Sequence, residues 1–384
     1  MADFKLEEWE REPLWLKLLT PFLKKKRFPR IPENPVKGKW YRIYPEGFVE
    51  ANGEATYGSF QIGTENKLLV FFAGGGLSWN EYTAARQTSL YSKNLAEGFY
   101  MVHVDLFTDL NLNKGIFEDS DRNPFRRWSK LVLNYNTGDF HAGDGDFSYT
   151  ALDGSRRVLH HHGFRNYRAV LQSAKKWIPE PKQLFICGCS GGAFGVSLVS
   201  NDLIRQFPGC SDVTCLVDSG FFRMKNWASV ARDVWHAPKE IADCIHSDNI
   251  MLDGMENLYK EHGSNIKYLF CCSVRDGALS RMENYLENGD FSFAKESGER
   301  FQKELQELCR EFREKVPDIG LFFFDKADKS QKDKNLTIHC IIGDREVYEY
   351  VTENKTVMQW IEDALKNQVK SYGIGLLDGK VDTV

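Results

Sequence analysis

The chain has 384 residues, of which 42% are hydrophobic and 27% charged, and its formal net charge is −4. This composition predicts a globular protein with a sizeable core and gives no general attraction to nucleic acid. The chain contains no apolar run of about 18 residues, which excludes a membrane-spanning helix, and its first residues lack the pattern of a signal peptide.

The first 35 residues differ from the rest of the chain. The stretch Trp15–Phe28 is amphipathic and ends in basic residues, a pattern compatible with peripheral contact with an acidic membrane surface. Pro21 interrupts the pattern, so we favour an N-terminal arm, residues 1–35, that packs on the body. Residues 36–384 are expected to form one domain.

From Lys39 onward, short apolar runs alternate with helical patterns. Continuous apolar runs are typical of strands buried on both faces of a parallel sheet. The chain is therefore predicted to be an α/β protein with a doubly wound, mostly parallel sheet that starts with two antiparallel strands. The predicted strands are Trp40–Tyr44, Ser59–Ile62, Lys67–Phe72, Tyr100–Asp105, Lys130–Asn134, Gln183–Cys187, Val213–Val217, Tyr268–Ser273 and Gly320–Phe324. The predicted helices are Gly163–Trp177, Ala193–Gln206, Ser297–Lys315 and Thr356–Gln368.

Two segments are longer than a crossover between strands requires. Residues 223–266 and 279–317 are polar, helical in pattern and rich in aromatic residues such as Trp227, Trp235 and Tyr285. We interpret both as cap segments that lie above the carboxyl edge of the sheet.

A glycine-rich turn follows the predicted strand Lys67–Phe72. Three successive glycines, at 74, 75 and 76, allow the backbone to approach a substrate closely and to present bare N–H groups. Gly75 and Gly76 are the expected oxyanion donors, and Trp79 just beyond them is a candidate substrate contact. A phosphate cradle is the alternative, but the Gly-Lys-Ser/Thr ending of such a loop is missing.

A second polar turn follows the predicted strand Lys130–Asn134. Asp139 and His141 either line a pocket and bind substrate hydroxyls or act only as turn residues. The run His160-His161-His162 resembles a metal cluster in composition. Consecutive side chains diverge on any regular element, so we expect a loop or helix start there and no metal site.

The run Gly188-Cys189-Ser190-Gly191-Gly192 matches the G-x-S-x-G nucleophile elbow. An apolar strand precedes it and a helical pattern follows it, which is the context that the motif needs. A serine at such a turn has strained backbone angles, so only small residues can flank it. Ser190 is the predicted nucleophile, and the N–H of Gly191 is a predicted oxyanion donor.

A serine nucleophile needs a base and an acid that orients it, and in this architecture they follow the serine in the order acid, base. His339 follows the last predicted strand and is the candidate base; the alternative is a structural histidine. The acid is either Asp276, after the strand second from last, or Asp218, at the end of Val213–Val217. Position favours Asp276, and Asp218 is otherwise a pocket or turn residue.

The nine cysteines are odd in number and lie mostly inside apolar runs. This pattern indicates reduced, buried thiols and a cytoplasmic protein, and no cysteine pair has zinc-ligand spacing. We expect neither a metal nor a cofactor.

Together these motifs resemble the pectinacetylesterase family over roughly Lys67 to Gln359. The resemblance is carried by the glycine run, by Gly138-Asp139-Phe140-His141, by the elbow, by Asp218-Ser219-Gly220-Phe221-Phe222, and by Asp276 and His339. It implies an α/β-hydrolase-like fold and metal-free hydrolysis of carboxylic esters, with Ser190 as nucleophile, Asp276 as acid and His339 as base.

Two departures from the family pattern limit the resemblance. Position 191 is glycine where members commonly have alanine, which keeps the N–H, and plant and animal members are secreted and disulfide-bonded. We therefore expect a substrate other than pectin.

The expected function is that of a serine esterase or deacylase acting on a small-molecule or carbohydrate ester. A short acyl group such as acetyl is the family-based expectation. An acyltransferase with the same triad and a non-catalytic binding protein are the alternatives, and the oligomeric state is left open.

Overall fold

A computed structural model describes residues 27–88, 98–102 and 105–378, without the side chains of residues 105–107. Residues 1–26 of the predicted arm lie outside this range. The rest of the arm runs beside the first strand: Phe28 stacks on Trp40 at 5.8 Å between ring centroids, and Ile31 N donates to Arg42 O at 3.0 Å. Among the helices of the described ranges, none combines the length and apolar character needed to cross a bilayer.

The described residues contain fourteen strands. In chain order they are β1 Trp40–Ile43, β2 Gly58–Gln61, β3 Leu68–Phe72, β4 Gln87–Thr88, β5 Tyr100–Met101, β6 Ser129–Leu133, β7 Gly145–Thr150, β8 Arg156–His161, β9 Leu184–Cys189, β10 Val213–Asp218, β11 Lys267–Ser273, β12 Gly320–Phe324, β13 Val351–Thr352 and β14 Lys355–Thr356. Eight of them form the main sheet in the order β1-β2-β6-β3-β9-β10-β11-β12. Within this sheet, β1 pairs antiparallel with β2, and β2 pairs antiparallel with β6. The remaining neighbours, from β6 through β3, β9, β10 and β11 to β12, pair in parallel. The predicted sheet with its antiparallel start is confirmed.

Helices cover both faces of this sheet. In chain order they are α1 Glu81–Ala84, α2 Asp105–Asn111, α3 Gly163–Ala174, α4 Gly191–Arg205, α5 Trp227–Ser229, α6 Lys239–Ala242, α7 Ile250–His262, α8 Gly277–Asn288, α9 Lys295–Lys315, α10 Glu346–Glu349 and α11 Val357–Leu365. A π-helical turn, Val230–Val234, follows α5.

The alternation of side chains along each strand divides the interior into two apolar cores. In β3, Leu68, Val70 and Phe72 join the larger core, while Leu69 and Phe71 join the one on the opposite face. All five residues of this strand are buried. A strand whose two faces are both covered must be apolar at every position, which is why continuous apolar runs identified this sheet.

The predicted strand Tyr100–Asp105 is wrong as a strand of the main sheet. Of its described residues, Tyr100–Met101 form β5, which pairs with β4 outside the main sheet, and Asp105 begins α2. The backbone of this segment pairs with the glycine-rich turn, since Met101 N donates to Gly75 O at 2.7 Å. An apolar run can therefore be buried against a loop as well as in a sheet.

The two predicted cap segments pack differently. In the first, Trp227 and Trp235 are fully buried, and α7 crosses α4 so closely that a Cβ on Gly254 would lie 2.6 Å from Ser197 O. In the second, the ring of Tyr285 packs against that of Trp79, with 6.1 Å between the ring centroids, next to the glycine-rich turn. Their role as a cap, and the division of the chain into arm and domain, stay predictions.

Candidate active site

Ser190 occupies the turn between β9 and α4. Its backbone angles are φ 54° and ψ −128°, a region that residues with a side chain rarely adopt. Its N–H donates to Asp218 O at 3.0 Å, at the end of the neighbouring strand. The strained turn thus raises the serine above the carboxyl edge of the sheet, as the elbow motif requires.

Close packing explains the small residues around this serine. A Cβ on Gly192 would lie 1.9 Å from Phe72 O, and a Cβ on Gly188 would lie 2.4 Å from Gly192 O. A Cβ on Gly74 would lie 2.6 Å from the Cβ of Ser190. The glycine-rich turn and the elbow therefore touch backbone to backbone, which no other residue type would permit.

His339 and Asp276 form a hydrogen-bonded pair. Nδ1 of His339 lies 2.9 Å and 2.8 Å from the two carboxylate oxygens of Asp276, which is fully buried. A carboxylate only accepts, so Nδ1 carries the proton and Nε2 is left as a base. Burial lowers the pKa of His339, but the charge and hydrogen bond of Asp276 outweigh it, and the net pKa is raised.

The backbone on the N-terminal side of His339 is fixed to the strand that carries the acid. Thr337 N donates to Arg275 O at 3.0 Å, and Ser273 Oγ donates to Ile338 O at 2.7 Å.

Residues 328–336 form an exposed excursion before His339, and a hydrogen bond closes its base. Asp328 N donates to Leu336 O at 2.9 Å. The position of His339 is thus set by β11 and not by the path of the excursion.

The backbone on the other side of His339 is fixed by Asp218. Its Oδ2 accepts the N–H groups of Ile341 and Ile342 at 2.8 and 2.9 Å, and its main-chain oxygen accepts Ser190 N–H. Asp218 is fully buried, and burial raises its pKa against these hydrogen bonds. Of the two candidate acids, Asp276 is the one hydrogen bonded to His339, while Asp218 holds backbone on both sides of the site.

The predicted oxyanion donors lie where the two turns meet. The N–H groups of Gly75, Gly76 and Gly191 have no acceptor among the described residues. Gly76 has φ +81°, and a Cβ there would lie 2.0 Å from Phe99 O, so only glycine fits this position. Three unpartnered N–H groups beside a serine are suited to a developing negative charge.

Tyr135 and His141 support the glycine-rich turn from behind. Tyr135 Oη donates to Gly76 O and accepts Phe140 N–H, both at 2.9 Å, and His141 Nε2 donates to Ala73 O at 2.9 Å. Burial lowers the pKa of His141 to about 4, so its ring is neutral near pH 7. Tyr135 was not among the residues predicted from the sequence; the only signal was its place in a polar turn directly after a strand.

Asp139 and Trp79 are also buried. Asp139 accepts Thr137 Oγ1 and Gly163 N–H, each at 2.7 Å, and burial raises its pKa to about 6 against these bonds. Trp79 packs edge-on to Phe99 at 5.3 Å. The structure places Asp139, His141 and Trp79 behind the site, and their contact with substrate stays a prediction.

A cavity of about 370 Å³ opens beside the catalytic pair. Its polar end includes His339 and the turn at Gly74, and Lys114 and Asp344 lie on its wall. Most of the remaining wall is apolar, and it includes Phe71, Met101, Leu112, Phe117, Val132, Ile338 and Ile341. Such a cavity suits a flexible apolar chain attached to the reacting group.

Comparisons with known proteins identify the family and the fold. A model of the pectinacetylesterase family matches residues 57–262, more than half of the chain, and so includes the glycine-rich turn, the elbow and Asp218. Asp276 and His339 lie beyond the matched range.

Two solved structures of the Wnt deacylase Notum from Drosophila are also similar. Crystal form II gives a TM-score of 0.57 at 13% identity, covering 86% of this chain and 94% of that one. Crystal form I gives 0.53 at 14%, covering 85% and 92%. At this identity the likeness shows the fold alone, which is α/β-hydrolase-like.

Proposed function

Because the chain belongs to the pectinacetylesterase family, a family of carboxylesterases and deacylases, we propose that it hydrolyses carboxylic esters through an acyl-enzyme on Ser190. One observation carries this proposal. The strained serine of the elbow stands at the same sheet edge as a histidine whose Nδ1 is hydrogen bonded to a buried carboxylate. This is the arrangement by which a histidine activates a serine hydroxyl.

In the first half of the reaction, Nε2 of His339 takes the proton of Ser190 as Oγ attacks the ester carbonyl carbon. Asp276 keeps the imidazole in the tautomer with Nδ1–H and stabilises the imidazolium that forms. The carbonyl oxygen becomes an oxyanion, which the N–H groups of Gly75, Gly76 and Gly191 stabilise. One such donor typically contributes about 3 kcal/mol to lowering the barrier.

The imidazolium then gives its proton to the ester oxygen, the carbon–oxygen bond breaks, and the alcohol leaves. The acyl group remains on Ser190. A water molecule repeats the sequence: His339 takes its proton, the hydroxide attacks the acyl carbon, and the proton returns to Ser190 Oγ as the carboxylic acid is released. Nothing in this cycle requires a metal or a cofactor.

The cavity supports an acyl group of several carbons more than it supports acetyl. Its wall is mainly apolar and includes His339, so an acyl chain attached to the reacting carbon would extend into it. Each buried methylene contributes about 0.8 kcal/mol, or roughly fourfold in affinity. Lengthening the acyl chain should therefore lower KM stepwise until the cavity is filled.

The nine cysteines all lie in the described residues and all are free. Free thiols persist in a reducing compartment, which supports a cytoplasmic location.

The test is fluorophosphonate labelling with mass mapping of the adduct, together with turnover of p-nitrophenyl esters from acetyl to octanoyl. Ser190→Ala should abolish the adduct and lower kcat by about 10⁶-fold, as expected when a serine nucleophile is removed. Ser197→Ala is the matched control, since its hydroxyl on the same helix bonds Phe194 O and is expected to be dispensable. Turnover that survives in Ser190→Ala, or an adduct on another residue, would contradict the mechanism.

A further inference from the structure

The hairpin of β7 and β8 brings together three polar side chains that the reaction does not use. His160 lies in β8 and His162 directly follows the strand as the N-cap of α3, and both rings turn toward Asp146, whereas His161 points away. Across the ladder, Asp146 pairs with His160. His161 confirms the divergence, since its Nδ1 donates to Thr137 O at 2.8 Å on the opposite face.

The two imidazoles converge on one carboxylate oxygen. Asp146 Oδ1 lies 2.7 Å from His160 Nδ1 and 2.8 Å from His162 Nε2. The ring centroids are 5.1 Å apart, and the three polar atoms all lie within 4.8 Å of one another. Two nitrogens and one oxygen at such separations can be bridged by a single ion.

The cation beside the cluster is engaged with another group. Arg165, whose charge acts on His162, is paired with Asp144 through a 2.9 Å contact.

We propose that Asp146, His160 and His162 bind one divalent transition-metal ion of the zinc type, with solvent as the remaining ligand. Two imidazoles and a carboxylate are the borderline donors that Zn²⁺ accepts, whereas Mg²⁺ and Ca²⁺ prefer all-oxygen sites. The side chain of Asp146 is 57% exposed, which gives solvent access to the ion.

Admitting the ion requires the ligand atoms to adjust. Bonds of about 2.0–2.1 Å in tetrahedral geometry separate ligand atoms by roughly 3.3 Å, so Oδ1 must retreat by about half an ångström. The exposed carboxylate is free to make this movement. The proton on His160 Nδ1 moves to Nε2, and the ring of His160 is sufficiently exposed, at 27%, for Nε2 to reach water. His162 would bind the ion through Nε2, so the proton that Nε2 donates to Asp146 moves to Nδ1, which has no partner among the described residues.

A second group of similar composition provides the control. His246, Asp253 and Glu256 also lie close together, but their acceptors are already engaged. Lys260 and Lys315 contact Glu256 at 2.6 and 3.0 Å, and Asp253 accepts backbone N–H groups. Two ammonium groups beside the carboxylate disfavour a cation there, so this group should not bind zinc.

The experiment is a zinc titration of the full-length protein by calorimetry, with Mg²⁺ as the comparison ion. Wild type should bind one Zn²⁺ per chain, and Mg²⁺ should not compete with Zn²⁺ for the site. Asp146→Asn and His160→Gln should each weaken zinc binding by at least about tenfold, because even loss of an outer-shell partner costs about 10–100-fold. His246→Gln should bind as wild type does.

Two further measurements keep the proposal falsifiable. X-ray absorption of the zinc complex should show nitrogen and oxygen neighbours near about 2.0–2.1 Å and no sulfur near about 2.3 Å, which excludes binding by the nine cysteines. Zinc should raise the melting temperature of wild type and His246→Gln but not of the other two variants, whose circular dichroism should match wild type. Stoichiometric binding that survives in both ligand variants, a sulfur shell, or no binding by wild type would overturn the proposal.

Discussion

Two buried aspartates, at the carboxyl ends of neighbouring strands, have different tasks. Asp218 ends β10 and Asp276 follows β11, and both are fully buried acceptors of two backbone N–H groups. Only Asp276 also faces an imidazole, that of His339. The strand end buries the carboxylate, but the returning backbone of residues 337–342 decides which aspartate meets the histidine.

The largest effect is expected from Asp276→Asn. Asp276 caps the N-terminus of α8 by accepting the N–H groups of Ala278 and Leu279. Asparagine caps a helix about as well as aspartate, so α8 should persist and the free energy of unfolding should change by less than about 1 kcal/mol. An amide no longer fixes the Nδ1–H tautomer of His339 or stabilises the imidazolium. We expect kcat on the best ester to fall by about 10⁴-fold.

Steady-state kinetics and urea unfolding of the same preparation separate the two quantities. If kcat falls by less than about tenfold while the fold is intact, Asp276 is not the triad acid.

The reverse pattern is expected from Asp218→Asn: a loss of stability with little loss of activity. The amide oxygen can still accept the N–H groups of Ile341 and Ile342, but as a neutral acceptor it loses about 1 kcal/mol for each. We expect the free energy of unfolding to fall by about 2 kcal/mol and kcat to stay within about tenfold of wild type at temperatures where the variant is folded.

Denaturant titration and kinetics again provide the measurements, with Asp276→Asn as the matched variant. A large loss of kcat without a loss of stability in Asp218→Asn would reverse the assignment of the two aspartates.

The smallest effect is a displacement of the pH profile. Protonated His339 cannot accept a proton from Ser190, so kcat/KM should fall as the pH drops through its raised pKa. Both aspartates raise this pKa, Asp276 more than Asp218. The acid limb should move to lower pH in both asparagine variants, further in Asp276→Asn.

The profile is measured as kcat/KM against pH for wild type and both variants. An acid limb that does not move in Asp276→Asn would show that another group controls it.

The sequence was sufficient to predict the parts of the site that depend on local chain geometry. An apolar strand, a serine among glycines and a following helix can be recognised because strain at Ser190 restricts its neighbours. Eight of the predicted strands correspond to the main sheet, and β3 and the strands from β9 to β12 were recognised for a similar reason: strands covered on both faces are largely apolar.

The features that were missed depend on contacts between distant segments. Tyr135 donates a hydrogen bond to Gly76 O, 59 residues away in the sequence, and no periodic pattern predicts a bond of that kind. The β7–β8 hairpin escaped because its strands are largely exposed, although Asp153-Gly154 at its turn is a hairpin signal. That omission also hid the convergence of His160 and His162.

The hydrogen bond between Asp328 N and Leu336 O has a practical consequence. Because it closes the excursion that precedes the base, and because His339 is fixed independently by β11 and Asp218, the tip near Lys329–Lys334 is mechanically separated from the chemistry. Exposed tips of this kind accept insertions. An affinity tag or a fluorophore attached there would anchor the protein to a surface, or report on it, without disturbing the catalytic pair a few residues away.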